Sequence, residues 1–149
     1  MAGALSGPTV AQAHPDFSGV WSPVAIRPAP PAGATSLPPT DLTIRQTATA
    51  LAISRTAFEN VITATQDLDG RESTNKSGAM TLVTTAHWDK ARLVVEGKAS
   101  QVTSQGYAGW KLKEIYSLNP KGHLLIDREW IGDDGTVTKS VQELARKAK

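Results

Sequence analysis

Apolar and polar residues alternate with a period of two along most of this chain, and clusters of Gly, Asp, Asn and Pro break the alternation at short intervals. That is the pattern of half-buried β-strands joined by tight turns. It is clearest over 81–145, where Asp89-Lys90, Asn119-Pro120-Lys121-Gly122 and Gly132-Asp133-Asp134-Gly135 separate expected strands at 81–88, 91–102, 110–118, 124–131 and 136–145. Upstream, residues 17–24 read as a first strand, and 42–46 with 51–55 as a hairpin around 47–50. Residues 61–67 and 71–75 flank Leu68-Asp69-Gly70, and Asp-Gly between alternating runs is a strong hairpin signal. Residues 27–40 hold five prolines and few large side chains, so they read as an extended loop. Helical periodicity is absent, except that Val141 to Lys147 would tolerate a short C-terminal helix.

Many short strands with tight links leave two edges that need protection, and closing the sheet on itself removes them. The expected fold is therefore all-β: an antiparallel up-and-down meander of about 8–10 strands closed into a barrel. A two-sheet sandwich is the alternative.

Because successive strand side chains point to opposite faces, loop length decides which residues share a face. A two-residue loop at Asp89-Lys90 pairs Trp88 with Ala91 and Ala86 with Leu93, an apolar face, and leaves His87 with Arg92 outside. A loop over 119–123 pairs Leu118 with Leu124, Tyr116 with Ile126, Glu114 with Arg128 and Leu112 with Trp130. A four-residue loop at 132–135 then sets Lys139 opposite Arg128 and Val141 opposite Ile126. In the first hairpin, Ala48-Thr49 as the loop turns Leu42, Ile44, Gln46, Leu51, Ile53 and Arg55 inward. The predicted interior thus contains Arg55, Arg128 and Lys139 against the single carboxylate of Glu114. Unpaired buried charge costs several kcal/mol, so such a layer calls for water, an anionic ligand or an open mouth. The loop at Asp69-Gly70 does not decide whether Glu72 or Asn75 faces inward.

Composition narrows the class. At 149 residues the chain has the length of one domain, read here as residues 14–149 behind a leader at 1–13. Ala11-Gln12-Ala13 matches the cleavage pattern that ends a secretory signal, so a periplasmic or secreted protein is expected. The net charge of +2 is spread thinly, apart from Arg146, Lys147 and Lys149, which read as a solvated basic end, and nothing calls for nucleic acid. There is no cysteine, which excludes disulfides and thiolate metal sites. No apolar run reaches the ~20 residues of a spanning helix, so no membrane insertion is expected.

Gly19-Val20-Trp21 on the first strand of a β-meander of this size resembles the lipocalin-like, or calycin, barrels. Asp16-Phe-Ser-Gly-Val-Trp21, Leu42-Thr-Ile-Arg-Gln46, Leu68-Asp-Gly-Arg-Glu72, His87-Trp88-Asp89 with Leu93-Val-Val-Glu96, and Tyr116-Ser-Leu118 before Gly122-His-Leu-Leu-Ile126 are similar to exported bacterial proteins of unassigned function. The first resemblance implies a closed barrel, an inter-strand Thr-Asp-Tyr and an arginine packed over the first tryptophan; neither of these last two is evident by inspection. The second implies an export route and no known chemistry.

The leading expectation is a barrel that holds a small, partly apolar and anionic ligand, hydrophobic or aromatic in its body. Trp88, Trp110 and Tyr116 would form the wall, and Arg55, Glu114, Arg128 and Lys139 the polar contacts. An alternative is a small-barrel isomerase, cyclase or hydrolase with Glu114 as base and Tyr116 or Lys139 as acid. Adjacent cations would lower the pKa of such a base, which counts against it. A third reading is an extracellular assembly subunit that reaches a neighbour by strand addition, in which case a homo-oligomer is compatible. No cofactor is implied. His14, His87 and His123 do not assemble into a metal or Ser-His-Asp constellation.

Overall fold

The computed structural model describes residues 14–27, 41–57, 60–77 and 80–147. They form one antiparallel sheet of ten strands: β1 Gly19–Arg27, β2 Leu42–Gln46, β3 Ala50–Ala57, β4 Asn60–Asp67, β5 Ser73–Ser77, β6 Met80–Asp89, β7 Arg92–Thr103, β8 Gly106–Leu118, β9 Leu124–Gly132 and β10 Val137–Arg146. Their order is β4-β3-β2-β1-β10-β9-β8-β7-β6-β5. The sheet curls into a nearly closed barrel with β1 laddered to β10, and the sandwich is excluded. The expected C-terminal helix is not formed: residues 141–146 continue β10, held along their length by β1 and β9. Residues 1–13 and most of the proline-rich loop lie outside the described residues.

Asp69-Gly70 does not close a hairpin ladder. The turn is there, with Gly70 at a φ of 89°, but β4 and β5 are the two ends of the sheet and form no ladder. Side chains join them instead. The Asn75 carboxamide accepts from the Thr65 N–H at 2.9 Å and donates to the Thr65 carbonyl at 2.9 Å, standing in for a strand neighbour. One turn lower, Ser73 Oγ accepts from the Asp67 N–H at 2.9 Å.

Elsewhere the registers follow loop length. The 119–123 loop gives the expected pairs, Glu114 opposite Arg128 included, and the first hairpin sets Gln46 opposite Leu51 and Leu42 opposite Arg55. At the β6–β7 turn Trp88 pairs with Leu93, not Ala91. That slip of two residues leaves every side chain on its expected face. At β9–β10, Val137 pairs with Ile131 and Ser140 with Arg128, a slip of one residue that turns Lys139 outward.

The interior is filled unevenly. At the end where the chain enters, Phe17, Trp21, Leu42, Ile44, Leu51, Leu93, Leu124, Ile126 and Leu144 pack into a closed core. Gln46 holds the 15–18 segment across this end, accepting from the Phe17 N–H and donating to the Pro15 carbonyl, each at 2.9 Å. Trp21 is fully buried, and its indole N–H donates to the Phe17 carbonyl at 2.8 Å. The Arg146 guanidinium lies 4.3 Å from the Trp21 ring centroid and donates to the carbonyls of Ser18 and Asp16. This is the arginine that the calycin resemblance implies; it stands where the sequence suggested a free basic tail. Lys147 is also engaged, 3.0 Å from Asp41.

Gly97, opposite Thr84 on β6, lets β6 and β7 approach so closely that a Cβ there would meet the Val83 carbonyl oxygen at 2.1 Å. Gly97→Ala should therefore lower stability by roughly 1–3 kcal/mol, since backbone rather than a flexible side chain blocks the methyl. Arg146→Ala should cost about 1–2 kcal/mol by loss of the cation–π contact and its carbonyl bonds. Urea unfolding measures both, and an unchanged midpoint for either contradicts the assignment.

Candidate ligand-binding cavity

Above the sealed end the barrel interior opens into a cavity of about 220 Å³. Its apolar wall comes from Leu42 on β2, Ile53 on β3, Ala64 on β4, Leu82 on β6, and Ile126 and Trp130 on β9. These are inward positions of alternating strands, so the same pleat that builds the core builds the cavity.

Into this wall project Glu114, Tyr116 and Arg128. Arg128 Nε donates to Glu114 at 3.1 Å, and Arg128 Nη1 donates to Gln142 Oε1 at 2.9 Å. The Tyr116 hydroxyl donates to the other Glu114 oxygen at 3.0 Å. Burial, reinforced by the Glu114 carboxylate, pushes the Tyr116 pKa well above its usual value of 10, so the phenol keeps its proton. Arg55, exposed but also bordering the cavity, contributes a smaller opposing effect at this hydroxyl. Glu114 is thus held between a cation and a phenol, a satisfied network of the kind that stays rigid.

Of the residues the sequence nominated, Arg55, Glu114, Tyr116 and Arg128 line the cavity together. Trp88 does not. It points inward but belongs to the sealed end, stacked on His14 at 4.2 Å and against Phe17 at 5.9 Å. Trp110 shares the inner face of β8 with Glu114 and Tyr116 but does not line the cavity; it packs on Trp130 at 6.1 Å, and it is Trp130 that borders the space. Lys139 is on the outer surface, 3.3 Å from Glu129, because the β9–β10 turn is one residue longer than the four assumed. The acid–base set with Lys139 is therefore not assembled, and both oxygens of Glu114 are already engaged.

Sequence reasoning missed the part of the wall built by β4, β5 and β6: Ala64, Gln66, Asn75, Lys76, Met80 and Leu82. Alternation around Leu82 was a usable signal. The facing of Asn75 was not decidable, because β5 takes its register from β6, Asn75 opposite Leu82, and not from β4. Glu72 is exposed and lies outside the strands.

On the outside, Glu143 of β10 draws three side chains together. It lies 2.6 Å from His123 Nδ1 and 2.8 Å from Arg27, and Asn119 donates to it at 3.3 Å. The hydrogen bond with His123, then that with Arg27, brings its pKa down from 4.5 to about 2. Among the described residues no group of three or more His, Asp, Glu or Cys is placed to hold a metal ion.

No protein-family model matches the chain, and no curated protein sequence does. Solved structures do. The fatty acid transporter REP1-NXSQ superposes with a TM-score of 0.59 at 9% identity, over 89% of this chain and 97% of the transporter. Lipid binding protein 8 of Caenorhabditis elegans, in its apo form, gives 0.61 at 10% identity, over 88% and 95%. The chain shares the calycin-type barrel fold of these structures. A variant of the fluorescent protein UnaG gives 0.56 at 14% identity, over 89% and 97%, with the same architecture. At such identities the calycin likeness is one of fold.

Two outcomes follow from the bonding. Asn75→Ala should lose about 0.5–1.5 kcal/mol and speed hydrogen exchange of the Thr65 amide, with Asn75→Asp intermediate because a carboxylate still accepts but no longer donates. Glu143 has a folded-state pKa below its unfolded value, so its contribution is full above about pH 4.5 and is lost as pH falls toward 2. Glu143→Gln should be less stable than wild type at pH 7 and should lose less stability between pH 5 and 2, as read by urea midpoints across that range.

Proposed function

We propose that this barrel binds a small, partly apolar, anionic molecule in its interior and carries or sequesters it. The observation that supports this most directly is the unequal filling: one end is tightly packed, and the other keeps an apolar-walled space with a half-buried ion pair and an inward-facing indole. Mostly apolar walls with a few fixed polar groups are the usual make-up of a small-molecule site. Two fold neighbours are named for fatty acid transport and lipid binding, which agrees with this reading. An enzymatic role is disfavoured by the engaged Glu114 and the outward Lys139. Export is proposed alongside, supported by the Ala11-Gln12-Ala13 pattern.

The test is a titration of tryptophan emission with aromatic carboxylates and short and long fatty acids. Emission should change saturably in wild type, and Trp130→Phe should remove most of the change. Ala64→Phe, which puts a ring into the space, should abolish binding while the unfolding free energy from urea titration stays within about 1–3 kcal/mol of wild type. No saturable response to any of these acids, or one untouched by filling the cavity, overturns the proposal.

A further inference from the structure

The cavity does not end at the barrel wall. Thr63 and Lys76 both border it, yet each sits at an outward-facing position: Thr63 pairs with Ser54, whose hydroxyl it meets outside at 2.8 Å, and Lys76 pairs with Thr81 across the outer face of β5. An outward residue can border an interior space only where the wall is interrupted. The interruption is the seam between β4 and β5, which Asn75 and Ser73 bridge in its lower half at Thr65 and Asp67. Above Asn75 no such bridge exists among the described residues.

Charge is distributed to match. Deep in the cavity Arg128 is neutralised by Glu114. Lys76 at the seam and Arg55, inward on β3 one strand away from it, both border the space, and among the described residues neither has a carboxylate partner. Thr65 directs both its N–H and its carbonyl toward β5, so Thr63, two residues along the same strand, directs its own N–H into the upper seam. Further in, Gln66 is 9% exposed and spends one end of its amide on Thr84, leaving the other end in the cavity wall without a partner. A buried amide end without a partner is costly and marks where a ligand would bond.

Size limits the guest. A dry cavity of about 150 Å³ accommodates benzene. The space here, about 220 Å³, suits one or two fused rings or a comparably short chain and does not enclose a long straight acyl chain.

We propose that the seam between β4 and β5 is an anion subsite, in which Arg55 and Lys76 hold the carboxylate of a compact aromatic or short aliphatic acid whose apolar body points inward past Gln66. This deepens the ligand-binding reading and rests on it. The ligand's charged head is at the side opening, and the Glu114–Arg128 pair is part of the wall and not the anion anchor.

The experiment compares 2-naphthoate with the neutral 2-naphthamide, read by tryptophan emission. Wild type should favour the acid by roughly tenfold or more, the range of a charge-assisted contact. Arg55→Gln/Lys76→Gln should bring the two affinities to within about twofold, through loss of acid binding alone. Glu114→Gln/Arg128→Gln, chosen because it leaves no lone buried charge, should change both affinities alike and keep the ratio. The surface variant Lys139→Gln controls for general electrostatics and should keep it too. If the acid preference survives Arg55→Gln/Lys76→Gln, or vanishes in Glu114→Gln/Arg128→Gln, the seam is not the anion subsite. If wild type binds acid and amide equally, this inference fails while the binding proposal stands. If neither compound shifts the emission and no other acid does, both fail together.

Discussion

A ten-stranded barrel is wider than its own inward side chains can fill, whereas about eight strands bring the walls close enough to meet. Everything inside this molecule answers that constraint. At one end the chain before β1 turns in with Phe17 and, together with Trp21 on β1, plugs the barrel, and Gln46 and Arg146 hold the 15–18 segment through its backbone carbonyls and amides. At the other end no segment among the described residues plays that part, and the space is lined instead by short apolar side chains around Glu114, Tyr116 and Arg128. Stability is thus concentrated at the plugged end, where the largest fully buried side chains lie, and the half that lacks them is the half with room for a guest.

The same width bears on closure. A backbone ladder between β4 and β5 would have drawn the barrel tighter; the carboxamide of Asn75 spans the distance with two hydrogen bonds and keeps the edges apart. This blunts two edge strands that would otherwise present unpaired N–H and carbonyl groups to other chains. It also makes the seam the least tied part of the wall, since side-chain bridges are fewer than ladder bonds and are exposed to water. An opening bordered by two cations that have no carboxylate partner among the described residues follows from how the sheet was closed, and structure and proposed function meet at that place.

Electrostatics separates the interior into two regions. Glu114 and Arg128 face each other across β8 and β9 and complete their bonding with Tyr116 and Gln142, so the pair can be buried without a net charge. Arg55, on β3 one strand from the seam, borders the cavity without such a network among the described residues. On the outer surface Lys139 and Glu129, and Arg27 with Glu143, form the cross-strand pairs expected of a wet face.

What the sequence determined by itself is local. Alternation and turn chemistry placed the strands, and the Asn119-Pro120-Lys121-Gly122 turn set the β8–β9 register, so that Glu114 opposite Arg128 could be derived by counting along two neighbouring strands. At the β6–β7 turn the counting was off by two and no face changed; at β9–β10 it was off by one and Lys139 left the interior. A period of two forgives the first error and never the second. Only the tertiary structure decided which strands fail to pair, because closure depends on the circumference of the whole sheet, and a good Asp-Gly turn fixes the turn without requiring a ladder between the strands it joins. The same holds for Arg146 over Trp21: that contact exists because β1 and β10, first and last in the chain, become neighbours when the sheet curls round, and no spacing along the sequence carries that information.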